Sequence, residues 1–390
     1  MNQLELRTNV LTALGASESE TAELLVYNEN VFDHTSFQLP SVVPPPAEPH
    51  IAAWEQYAAE AKTLGVYEAL RSRLVHFQFP IQAGISETEP YRAATRQGKP
   101  TQGMASATGL VLEEPENLQL WLHQTLAGSI PVLIAGNRPD FVTLVQALTK
   151  KNEPQPVPDS MGACIVGGYN NWDRVRQYRQ QWAAQNPEHC SDADWSAEFK
   201  RLIPRKELYQ DRFIILSSSP YSNVTAEKVG LTDTEWGKLS LMIRLEHECT
   251  HYLTRRFLGS MRNNLLDELI ADYRGIVAAI GHYRADWFLH FVGLESFPVY
   301  REGGRLQNYK GDPPLSDGSF RILQRLVKSA AENLERFNNK YSQKPRTPLD
   351  QLSTLLALTT LTLEELASES AESLLEVAVS RQQKLSFADN

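Results

Sequence analysis

The chain has 390 residues, 42% of them apolar, and a formal net charge of −9. That apolar content can fill the cores of two or three domains of ordinary size. The acidic balance, with no stripe of Lys and Arg on one face, excludes electrostatic binding of nucleic acid, which requires basic side chains gathered against phosphates. The opening, MNQLELRTNVLTALG from Met1 to Gly15, has no basic segment followed by a long apolar run, so no secretory signal is expected. Apolar runs such as Ile276 to Ile280 fall far short of the roughly 20 residues a bilayer crossing needs. Cys164, Cys190 and Cys249 are too few and too scattered for a disulfide framework or a CxxC zinc site, and a cytoplasmic location is the expectation.

A short helical segment is expected before PSVVPPPAEP, residues 40–49, which is too proline-rich for helix or central strand and reads as a stiff connector. Spacing then predicts a helix from Ala52 to His76, a Gly/Ser/Thr-rich loop from Arg96 to Gly109, and a helix from Glu116 to Leu126. Ile130 to Ile134, closed by Gly136, Asn137 and Pro139, reads as a strand, and Asp140 as the cap of a helix from Phe141 to Lys150. Three prolines in residues 152–160 mark a domain boundary, with strands expected at Ala163 to Val166 and Phe213 to Leu216. Gly167 to Asn170 reads as a strand-ending turn, since two glycines without the rest of a fingerprint make no nucleotide site. The stretch from Leu231 to Tyr283 should be mainly helical, and a polar Gly/Pro segment from Glu302 to Gly318 separates it from helical stretches near 319–340 and 349–380. The expected architecture is a mostly helical α+β protein in three regions: 1–150 helical or α/β, a central domain over 160–300, and a helical 319–390.

The chemistry is concentrated in L-E-H-E-C-T-H-Y-L from Leu245, an H-E-x-x-H string at His247, Glu248 and His251. Two histidines four residues apart lie about 40° apart around a helix and roughly 6 Å along it, so both imidazoles can reach one metal ion. Glu248, on the flank of that face, can act as general base toward a water at the metal without being a ligand. Cys249 is turned about 100° from each neighbour and reads as a small packed apolar residue. The helix this pattern requires is supplied locally. Thr232 and Glu235 have capping-box spacing, and Gly259 follows Arg255 and Arg256 as a C-terminal stop.

A third ligand is expected from D-E-L-I-A-D-Y-R, Asp267 to Arg274, with Asn264 as N-cap. If this helix folds back antiparallel, Glu268 returns toward His251 and Asp272 toward His247. Glu268 and Asp272 are like charges at i,i+4, which repel by about 0.2–0.5 kcal/mol unless a cation such as zinc intervenes. Glu268 is therefore assigned as direct ligand and Asp272 as acceptor for a histidine N–H, while Asp267 points about 100° aside.

These residues resemble the gluzincin zinc metallopeptidases of the thermolysin-like type, which pair H-E-x-x-H with a downstream E-x-x-x-D. The resemblance covers about 26 of the 390 residues. It implies one zinc per chain held by His247, His251 and Glu268, with Glu248 as catalytic base and Asp272 orienting a histidine. The central region would then be a zincin-like core with a small sheet and two antiparallel motif helices. The metzincin pattern fails, because it needs Gly at Thr254 and His at Phe257. His282 falls about 21 Å along the second helix from Glu268, too far to share the metal. His34, His50, His76, His123, His189 and His290 have no ligand-like spacing.

The expected function is a zinc-dependent hydrolase cleaving peptide bonds in a peptide or protein. Two alternatives stand beside it: a metal-binding or interaction protein without turnover, and a zinc hydrolase of a non-peptide amide. Tyr252, Tyr273, Tyr283 and Arg274 lie near the motif as candidates to stabilise an oxyanion, and no pattern singles one out. Neither a nucleic acid nor a membrane is expected as partner, and no residue pattern sets an oligomeric state.

Overall fold

A computed structural model of the chain describes residues 2–35, 40, 42–260, 264–341 and 347–388. The fold is mostly helical α+β with one small sheet. It divides into two compact units, one joining Met1–Pro45 to Pro220–Asn390 and the other formed by Pro46–Ser219. Among the described residues no helix is long and apolar enough to cross a membrane.

The chain opens the first unit with α1 (Gln3–Ala13) and α2 (Glu18–Tyr27), each started by a capping box, at Asn2/Glu5 and Ser17/Glu20. It then passes into the second unit. The single helix expected from Ala52 to His76 is two, α3 (Ile51–Leu64) and α4 (Val66–Arg73), broken at Gly65 by a φ of +82°. After α5 (Glu89–Gln97) the helix expected from Glu116 to Leu126 is instead strand β1 (Gln119–Thr125), hairpinned to β2 (Gly128–Ala135). Apolar residues at Leu118 and Leu122 imitate a helical interval, but cross-strand pairing decides. Thr125 Oγ donates to Gly128 O at 2.7 Å and accepts from Ala127 N at 2.9 Å, closing the turn.

Helix α6 (Arg138–Thr149) is capped by Asn137 rather than Asp140, whose carboxylate accepts from Glu113 N at 2.7 Å and Glu114 N at 3.0 Å. Strand β3 (Ala163–Asn170) runs through Gly167 and Gly168 as a bulge, where a turn was expected. Helices α7 (Trp172–Gln185) and α8 (Asp192–Leu202) precede β4 (Gln210–Ser217). The sheet order is β1-β2-β4-β3, with β2 and β4 parallel and the outer pairs antiparallel. Its core is filled by Trp54, Tyr57, Phe77, Leu133, Phe141 and Phe213.

The first unit resumes with α9 (Ala226–Val229), α10 (Asp233–Leu258), α11 (Leu265–Ile280) and α12 (Ala285–Val292). It closes with α13 (Asp317–Tyr341), α14 (Pro348–Thr359), α15 (Leu363–Ala367) and α16 (Ala371–Ala388).

This division corrects the three-region expectation. The proline-rich 152–160 segment is no boundary, because Asn152 is fully buried and its amide donates to His76 O and Phe79 O, both at 3.0 Å. The 1–150 region splits at the Pro45–Pro46 connector. Its first helices belong with the C-terminal ones, where Arg7 pairs with buried Glu364 at 3.2 Å. Strands β3 and β4 and the motif helices, expected together within 160–300, belong to different units.

Candidate metal centre

The 26-residue α10 carries the H-E-x-x-H string in its second half. Its first turn is fixed by the Thr232/Glu235 capping box, and Gly259, with φ +66°, ends it. From Ile243 to Thr254 every residue is buried except Glu248, which is half-buried. Asn264 starts α11, its Oδ1 accepting from Asp267 N at 3.0 Å. The two helices run antiparallel, as the pairing of His251 with Asp267, His247 with Asp272 and Ile243 with Gly275 requires.

His247, His251 and Glu268, all buried, converge on one point. His247 Nε2 is 3.1 Å from His251 Nε2 and 3.4 Å from Glu268 Oε2, and His251 Nε2 is 3.5 Å from Glu268 Oε1. A tetrahedron with metal–ligand spokes of about 2.0–2.1 Å has edges of roughly 3.4 Å, so the two ring nitrogens and the Glu268 carboxylate, which meets each ring through a different oxygen, are close enough to share one metal ion.

The outer nitrogens fix how the rings present themselves. His247 Nδ1 lies 2.8 Å from Asp272 Oδ1 and 2.9 Å from Tyr221 Oη. His251 Nδ1 lies 3.1 Å from Asp267 Oδ2. A carboxylate can only accept, so each Nδ1 carries a proton, and in the neutral ring each Nε2 then directs its lone pair inward. Two ring nitrogens 3.1 Å apart need a proton or a metal cation between them.

Asp272 is held from three sides. Tyr221 Oη donates to its Oδ1 at 2.5 Å, and Arg305 pairs with its Oδ2 while donating to Tyr221 Oη at 2.9 Å. The Tyr309 phenol is buried near Glu268, and burial and that carboxylate both push its pKa up.

Charge accounting points the same way as geometry. Asp267, Glu268 and Asp272 bring three buried carboxylates against the guanidinium of Arg305, leaving two negative charges for protonated histidine or a bound cation to offset. Burial alone would lower the His251 pKa, but Asp267 and Glu268 outweigh it and push the value well above the ordinary histidine range. Burial likewise opposes ionisation of Glu268 and Asp272, yet their cationic neighbours hold both below the usual carboxylate range. Thus the donor set fits a metal ion. The carboxylate of Glu248, next to His247, makes no hydrogen bond or ion pair among the described residues.

A family model described as "Family of unknown function (DUF7005)" matches residues 9–370. The chain belongs to that family. No curated protein and no solved structure matches it.

The structure brings together His247, His251, Glu268 and Asp272, and sets Glu248 on the same helix turn as the histidines. Three of the four candidate oxyanion donors are engaged elsewhere. Arg274 pairs with Glu246 at 2.8 Å, Tyr273 Oη accepts from Asn338 at 2.9 Å, and Tyr252 Oη from Arg256 at 3.3 Å. Tyr283 is buried, and its hydroxyl has no hydrogen-bond partner among the described residues. Tyr221, Asp267, Arg305 and Tyr309 were missed. For Asp267 a signal existed: the 100° turn away from Glu268 points it at the outer nitrogen of His251. Tyr221, Arg305 and Tyr309 lie in short turns distant in sequence, where periodicity carries no information.

Proposed function

We propose that the chain is a zinc-dependent hydrolase cleaving peptide bonds in a peptide or protein substrate. The observation that carries this reading is the convergence of His247 Nε2 and His251 Nε2, 3.1 Å apart, on the Glu268 carboxylate, whose two oxygens lie 3.4 and 3.5 Å from them, beside a Glu248 that makes no ion pair among the described residues. His247, His251 and Glu268 would hold one zinc per chain, a two-histidine, one-glutamate set of the kind used in catalytic sites. Bound zinc supplies Lewis acidity, polarising a carbonyl and lowering the pKa of water.

The chain's own residues supply the rest. Glu248, half-buried and unpaired, takes a proton from the attacking water and returns it to the leaving amine. Asp267 keeps the His251 ring in its tautomer, and Asp272 with Tyr221 does so for His247. Arg305 offsets the Asp272 charge, and the Tyr309 phenol lies near the Glu268 carboxylate. Three cysteines without disulfides fit the cytoplasmic setting that belongs to this reading.

The test is a peptide-library digestion with purified protein, repeated after chelation and after zinc is returned. Cleavage lost and regained supports the proposal. A zinc-loaded protein that cleaves no peptide contradicts it, and turnover of simple N-acyl amides by that protein would assign a non-peptide substrate instead.

A further inference from the structure

A second candidate site lies in the Pro46–Ser219 unit, around Trp172 at the start of α7. The Trp172 ring is fixed on three sides. Its Nε1 donates to Thr95 O at 2.7 Å, and its face stacks on Phe199 with centroids 6.0 Å apart. Beneath it lies Gly98, where a β-carbon would come within 2.2 Å of the indole. A glycine that makes room for an aromatic ring, at φ +67°, holds that ring in one orientation.

The ring walls two cavities. One, of ≈ 230 Å³, is lined by Arg73, Lys99 and Arg176 together with Gln78 and Thr101, and has no acidic side chain in its lining. In a chain of net charge −9, three cations around one hollow depart sharply from the average surface. Arg73 spends three N–H groups on Glu60 and Asp173, and Arg176 one on Asp173. A guanidinium has five, so both keep donors in reserve. Lys99 is exposed and forms no ion pair among the described residues.

The other cavity, of ≈ 190 Å³, is lined by Trp172, Phe199, Tyr209 and Ile203, with Arg96 and Asn170 as its polar members. Three aromatic rings with an amide and a guanidinium at the rim suit a flat ring bearing hydrogen-bonding edges. No carboxylate lines this cavity either.

We propose that these two cavities, which share Trp172 as a wall, together bind a small organic anion carrying a planar ring, with the anionic group among Arg73, Lys99 and Arg176 and the ring against Trp172, Phe199 and Tyr209. The anion is a phosphate monoester or a carboxylate. The size of each hollow restricts the ligand to a small molecule.

Calorimetric titration of the full chain in EDTA, which removes any metal from competition for phosphate, tests this. The probes are AMP, hippurate, inorganic phosphate and adenosine. AMP or hippurate should saturate with a Kd of about 1 mM or tighter, with phosphate and adenosine weaker by about tenfold or more. AMP alone identifies the phosphate monoester, hippurate alone the carboxylate, and either supports the proposal. Lys99→Glu, at an exposed position, should weaken the bound probe at least about tenfold. Trp172→Phe, which keeps a ring but loses the anchor to Thr95, should weaken it less. Saturation by neither AMP nor hippurate overturns the proposal. So does a Lys99→Glu protein that binds like wild type, or phosphate or adenosine binding as tightly as the combined ligand.

Discussion

Gly275 of α11 packs directly on the backbone of Ile243 in α10: a β-carbon at 275 would lie 2.6 Å from the Ile243 carbonyl oxygen. Ile243 is one turn before His247, and Gly275 three residues after Asp272, so this close approach sets the distance across which His247 meets its carboxylate. Gly275→Ala should force the helices apart at the one place where neither backbone can yield cheaply. The expected cost is about 1–3 kcal/mol by urea unfolding, together with weaker zinc retention against a competing chelator. An alanine variant of unchanged stability and metal affinity would show that the helices tolerate separation here.

The two carboxylates behind the histidines act independently, one on each ring. Asp267→Asn and Asp272→Asn should each lower metal affinity by about 10–100-fold, read by competition with a chromogenic chelator. Asp267 is the more informative of the two, because spacing alone had set it aside. If Asp267→Asn leaves affinity unchanged while Asp272→Asn lowers it, the contact to His251 contributes packing only.

Much of this arrangement was legible because the helix carrying it is punctuated by chemistry with fixed geometry. Thr232, Glu235, Gly259 and Asn264 marked the ends of α10 and the start of α11. The spacing of His247 and His251 needs nothing beyond the pitch of the helix. By contrast β1 was read as helix, since in Gln119–Thr125 the deciding interaction is pairing with β2 and not a local preference. The unit boundaries escaped for a related reason. That α1 and α2 join the C-terminal helices depends on contacts such as Arg7 with Glu364, made across more than 350 residues. Tyr221 and Arg305 reach Asp272 from turns that no periodic pattern marks.

Glu248 is the one residue in Ile243–Thr254 that is not buried, and its carboxylate is uncommitted. Glu248→Gln should keep the metal and the fold while peptide cleavage falls by about 10²–10⁴-fold, the usual contribution of a positioned acid–base group. Steady-state kinetics with metal content measured on the same preparation separates the two effects. Full activity in the variant would remove Glu248 from the mechanism.

His50, in the other unit, is buried, and its Nε2 has no hydrogen-bond partner among the described residues. Burial lowers its pKa to about 4, with Arg174 and Arg212 pushing the same way and Glu48 opposing. The folded value lies below the unfolded one, near 6.5, so the unfolded chain binds more protons between them. The stabilisation from neutral His50 is therefore complete above about pH 6.5 and is lost progressively as pH falls from there to about 4. At about pH 4.5 wild type should have lost roughly 2–3 kcal/mol that His50→Leu does not lose, as read from urea unfolding of both proteins at pH 7 and at that pH. A difference between the two proteins that does not change with pH would show that His50 is not held neutral.

The most direct test of the central claim is metal content. Elemental analysis of the wild-type protein should find about one zinc per chain. His251→Ala and Glu268→Ala, with circular dichroism matching wild type, should carry little or none. Metal content as high in those folded variants as in wild type would contradict a site built from His247, His251 and Glu268.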